Sequence, residues 1–120
     1  MSLPGTLGDI IRESVRYARA RGYQIMRGDW GVRYQPGLGW TVDPKNCVCP
    51  LGAVLLQHQP VPEFGYDLVY QYEEALAGLL NCSPFWLDDF TEGVDKGASS
   101  SNGSQFGHQL ACELIDGIKP

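Results

Sequence analysis

The sequence predicts an α+β fold that is mostly α, with four to five helices around one core and a small β-hairpin near residues 30–43. Apolar residues recur at helical spacing in several separate stretches, whereas only one stretch alternates with period two. A chain of 120 residues with 43% hydrophobic content and three tryptophans can bury a real core, and residues 1–120 are read as a single domain.

The first helix is expected to begin at Thr6, a capping residue, with Asp9 three positions on as a variant of the capping box. Leu7, Ile10, Ile11, Val15 and Ala18 form its apolar stripe, and Gly22 ends it. "WGVRY" then places Trp30, Val32 and Tyr34 on one strand face, and "GWTVD" repeats the alternation with Trp40 and Val42. Between them, Pro36 and Gly37 suit the central positions of a type II turn. The tryptophans are expected to pack on helices, with a ligand platform as the alternative. Pro50 opens a helix over about 50–58, because a missing N–H is harmless in the first turn. Asp67 is the expected cap of a helix through Leu80, with a buried stripe of Leu68, Tyr72, Leu76, Leu79 and Leu80. Ser83 and Pro84 restart a helix whose far end Gly93 and Gly97 bound. "GASSSNGS", residues 97–104, is a short loop. A last helix covers about 104–116, with Phe106, Leu110, Leu114 and Ile118 inward and Gly117 at its end. The glycines as a group are assigned to turns and helix ends.

The net charge of −5 conceals an asymmetry. Residues 1–45 hold seven basic side chains against four acids, and residues 46–120 hold two against ten. The two halves are expected to neutralise each other in part. Alternatively, Arg12, Arg16 and Arg19, at i, i+4 and i+7, form a basic strip for an acidic partner. No apolar run approaches a membrane span. Asp9, Arg12 and Glu13 interrupt any signal-peptide core, so the expected location is cytoplasmic.

Residues 73–93 resemble the helix pair of phage-repressor-type helix-turn-helix domains. Leu76 and Ala77 match its Leu-Ala pair, and Asn81 stands at the turn glycine, where asparagine tolerates a left-handed backbone. Cys82 replaces a small buried aliphatic, Ser83 caps the second helix, Leu87 and Phe90 fall on core positions, and Gly93 matches the terminal glycine. The resemblance implies that Pro84, Phe85, Asp88 and Asp89 would face bases. Yet no lysine or arginine lies between Lys45 and Lys96, and Glu73 replaces a usual glutamine. Duplex affinity comes largely from cations displacing counterions, so nucleic acid is an unlikely partner. A second resemblance spans more of the chain. "CPLGAV", "LNCSPFWLDDFTEGVD" and "GHQLACEL" are similar to small uncharacterised bacterial proteins that carry a Cys-Pro-Leu-Gly-Ala element; it implies an organisation and no chemistry.

Cys47, Cys49, Cys82 and Cys112, with His58 and His108, are the candidate metal ligands. Their spacing departs from the paired CxxC pattern of zinc sites, and free cysteine also behaves as a small buried hydrophobe. Cys47 and Cys49 precede a helix start, where a thiolate is stabilised, and either would need His58 or His108 beside it to act as a nucleophile. His58 is otherwise placed to end its helix. Asp88, Asp89, Glu92 and Asp95 group carboxylates that suit a divalent cation or acid–base work, or simply a solvated face. No catalytic residue set is assembled, and no phosphate-binding or dinucleotide-binding glycine motif occurs. The expectation is a non-catalytic interaction or regulatory module without a cofactor, binding a protein partner or a second copy of itself. Its interaction candidates are Arg12, Arg16, Arg19, Phe85, Asp88, Asp89, Glu92 and Asp95. A thiol- or metal-dependent site at Cys47/Cys49, or a helix-turn-helix DNA-binding protein, are the alternatives.

Overall fold

The computed structural model describes residues 5–28, 30–35, 37–42, 44, 46–61 and 69–117. In chain order it has α1 (Leu7–Ala20), β1 (Gln24–Ile25), β2 (Val32–Gln35), β3 (Gly39–Val42) and β4 (Cys47–Val48). The helices α2 (Pro50–His58), α3 (Val69–Leu80), α4 (Pro84–Lys96) and α5 (Asn102–Leu114) follow. The fold is thus α+β and mostly α. Pro36, Lys45, Asp67, Leu68 and Ile118, each given a role or a charge above, lie outside the described residues.

Local chemistry sets the boundaries. At the start of α1 the Asp9 N–H donates to Thr6 Oγ1 at 3.2 Å. The reciprocal half of the capping box is replaced: the Asp9 carboxylate accepts from Arg12 instead. Tyr23 and Gly22 N–H donate back to the carbonyls of Ala18 and Arg19, closing the helix in the pattern of a Schellman end. Ile11, Val15 and Ala18 are buried on one face, and buried Ser14 donates to Gln57 Oε1 at 2.7 Å, fixing α1 against α2.

The hairpin has the expected face. Val32 pairs with Val42 and Tyr34 with Trp40, and Leu38 N–H donates to Gln35 O across the turn. Gly37, at φ +85°, supplies the left-handed third position that a type II turn requires. Gln59 clamps the hairpin to the end of α2. Its amide accepts from Trp40 N–H and donates to Trp40 O, while Trp40 Nε1 donates to Pro60 O at 2.6 Å. Trp40 is 2% exposed, and Trp30 and Trp40 both meet the edge or face of Tyr72 at 5.3 and 5.0 Å. The hairpin aromatics are therefore mass packed on α3. The alternation did not reveal a second pairing, in which β1 and β4 lie parallel through Gln24↔Cys47 and Ile25↔Val48.

The largest correction concerns glycine. Gly93 is not the end of α4 but lies buried inside it, and Gly97 is the cap. A Cβ on Gly93 would sit 2.0 Å from Ser104 O, and one on Gly107 would sit 2.2 Å from Phe90 O. Helices α4 and α5 thus meet backbone to backbone through Gly93, Gly103 and Gly107. Gly52 plays the same part for α2, where a Cβ would strike Trp30 O at 2.1 Å. The serine loop is also ordered by its own bonds: Ser104, 2% exposed, accepts from Ser99 N–H and donates to Ser101 O, and Ser101 caps α5 two residues earlier than expected.

Candidate functional site

Helix α4 presents two different faces. Ser83 accepts from Trp86 N–H and Pro84 fills the first turn, which fixes the helix start and so the rotation of every later side chain. Leu87, Phe90, Gly93 and Val94 point inward and are buried. Residues 85, 88 and 92 therefore point outward. Phe85 is 85% exposed, Asp88 and Glu92 are exposed, and Asp89 is half-buried beside α5. Trp86 is spared this exposure by stacking against Phe90 and Phe106 at 5.6 and 5.9 Å.

Helix α3 adds a carboxyl group to this face. It is joined to α4 by a three-residue turn in which Asn81 adopts φ +55°. Glu73 approaches Asp88 of α4. Neighbouring carboxylates repel, which favours a proton on one of them. Partial burial, then the neighbouring Asp88 carboxylate, push Glu73 up to about 7. The glutamate where the helix-turn-helix pattern has a glutamine thus takes up a proton more readily than an ordinary carboxylate.

The arginines lie elsewhere. Arg12 makes a two-pronged pair with Glu113, its Nε to Oε2 at 2.6 Å and its Nη2 to Oε1 at 3.1 Å. Arg19 donates to Leu114 O, and Arg27 grips both oxygens of Asp116 at 2.8 and 2.6 Å while its Nε donates to Val94 O. These bonds hold Glu113 and Asp116 below the usual carboxylate range, Arg12 and Arg27 being the respective causes. Two of the proposed strip, Arg12 and Arg19, therefore tie α1 to α5, although Arg19 stays exposed like Arg16 while Arg12 is half-buried. Mutual neutralisation of the two halves is the arrangement the ion pairs realise.

No family model, curated protein or solved structure matches this chain. Its functional reading rests on geometry.

The cysteines do not gather. Among the described residues no three of His, Cys, Asp and Glu are placed to hold a metal ion. Cys49 caps α2, its Sγ accepting from Gly52 N–H at 3.2 Å, while His58 ends the same helix about 13 Å away. That separation removes the pairing of Cys49 with His58, and burial holds the His58 imidazole below its ordinary value. Cys47 Sγ lies 3.8 Å from Gln24 Oε1. Cys82 is half-buried rather than fully enclosed, and burial pushes its thiol up. His108 does meet a thiol, but it is Cys112, at 3.6 Å.

A cleft of about 340 Å³, counting its open mouth, lies between the start of α2 and α4. Trp30, Pro50, Leu51, Phe90 and Val94 line it, with Cys49, Thr91 and Asp95 as polar groups. Most of that space is open to solvent; the cavity proper is about 50 Å³, far smaller than a small-molecule site. Asp95 is occupied, accepting from Gly28 N–H at 2.9 Å. Sequence reasoning missed this cleft and Arg27. The signal it had for Cys112 and His108 was their four-residue spacing.

Proposed function

We propose that the protein is a non-catalytic interaction module whose binding surface is the outer face of α4. It would engage a protein partner that carries basic side chains around an apolar recess. The observation that supports this is Phe85, 85% exposed in the first turn of α4 and followed on the same stripe by Asp88 and Glu92. An exposed aromatic ring is a typical anchor for binding energy, and surrounding charges set partner choice and orientation. The stripe occupies the place that faces DNA in a helix-turn-helix protein, but its carboxylates would repel phosphate. Cytoplasmic residence remains part of the proposal; no helix among the described residues is long and apolar enough to cross a membrane.

Fluorescence anisotropy compares a labelled lysine-rich amphipathic peptide with a labelled mixed-sequence duplex. The expected result is salt-sensitive peptide binding that Phe85→Ser weakens at least tenfold, about 1.4 kcal/mol, with no duplex binding at low salt. Tight duplex binding with a steep salt slope would overturn the reading. Sedimentation on the same samples separates a hetero-partner surface from self-association through the same ring.

A further inference from the structure

We propose that Cys112 is a thiol modification site at which His108 acts as proton acceptor and small-molecule disulfides are the substrates. The pair stands one helical turn apart on α5, with Sγ and Nε2 at 3.6 Å. His108 is exposed and Cys112 half-buried, so a small reagent reaches both. A Cβ on Gly97 would lie 4.0 Å from the His108 Nδ1, so this glycine of the neighbouring loop stands beside the ring.

The pair has charged neighbours. The Arg27 guanidinium, fixed by Asp116 and Val94 O, acts electrostatically on Cys112. Asp116 lies close enough to interact with His108, and Asp95 faces Arg27 from α4. Cys112 sits in the last turn of α5, where free carbonyls oppose negative charge. One of those carbonyls, Leu114 O, is already taken by Arg19. The other thiols are placed differently: Cys49 is buried as a helix cap, burial disfavours the Cys82 thiolate, and Cys47 lies 3.8 Å from the Gln24 amide oxygen.

In the exchange, Sγ of Cys112 attacks one sulfur of the disulfide as its proton passes to His108 Nε2. The S–S bond of the reagent breaks as the new S–S bond to Cys112 forms. The departing thiolate takes the proton from the imidazolium and leaves as a thiol. One disulfide is consumed and one formed, so no further oxidant is needed.

The test uses the folded full chain and hydroxyethyl disulfide, a neutral probe, with peptide-level mass spectrometry of each cysteine over time between pH 6 and 8. Cys112 should carry the first adduct, at least tenfold ahead of the other three thiols. His108→Gln should slow it about tenfold at pH 7 and steepen its pH profile, with the unfolding midpoint unchanged. His108→Asn gives the same readout by a second route. Cys112→Ser should abolish the fast phase. A first adduct at another cysteine, an unchanged rate and profile in both histidine variants, or a fast phase that survives Cys112→Ser would each overturn the proposal.

Discussion

Replacing Glu73 by glutamine tests the proton held between α3 and α4. Glu73 is raised from 4.5 to about 7 by burial and by Asp88. The folded chain therefore binds this proton more tightly than the unfolded chain. The resulting stability is fully present below pH 4.5, falls as pH rises, and is gone above about 7. A shift of that size corresponds to at most ~3.4 kcal/mol at 1.36 kcal/mol per unit. Glu73 is only partly buried and Asp88 is open to water, so solvent screening reduces this to about 1 kcal/mol. Glutamine does not ionise, and its amide can donate to Asp88 permanently. Urea unfolding of both proteins, followed by tryptophan fluorescence at pH 4.5 and pH 8, reads the effect. The variant should match the parent at the lower pH and exceed it by about 1 kcal/mol at the higher, and Asp88→Asn should flatten the parent's pH dependence. An equal difference at both pH values, or a variant less stable at pH 8, would refute the proton on Glu73.

Other perturbations address the frame that holds the site. Gly107→Ala forces a methyl group against Phe90 O and should cost about 2 kcal/mol in urea unfolding. Trp40→Phe leaves Pro60 O without its donor and should lose about 1–2 kcal/mol by the same measurement. Arg12→Met should raise the Glu113 titration midpoint, read by carboxyl NMR, because the pair lowers it. The stability of the parent pair is present above the ordinary glutamate range and lost as pH falls through the lowered value. Phe85→Ser should leave the unfolding midpoint within about 0.5 kcal/mol of the parent, since the ring makes little buried contact.

Much of the frame was legible because it follows from periodicity and caps. Thr6, Ser83 and Pro50 mark helix starts by chemistry that acts within one turn, and the hairpin register follows from alternation about Gly37. What was not legible depends on contacts distant in sequence. Gly93 looks like a helix stop, and Gly107 like an ordinary helix position, until another backbone is seen against them. The parallel ladder between Gln24–Ile25 and Cys47–Val48 is two residues long, too short for any pattern. At the site, the outward position of Phe85 follows from the cap and the inward stripe. The approach of Glu73 to Asp88, the engagement of Arg12 and Arg19 by α5, and that of Arg27 by Val94 O and Asp116 depend on contacts across the fold.

The most direct measurement is amide chemical-shift mapping of the full chain as the lysine-rich peptide is added. The largest changes should fall on residues 84–92 and be lost in Phe85→Ser, while α1 and α5 stay still. Changes centred on the arginines of α1, or a duplex that moves the α4 amides where the peptide does not, would contradict an anionic, aromatic docking face.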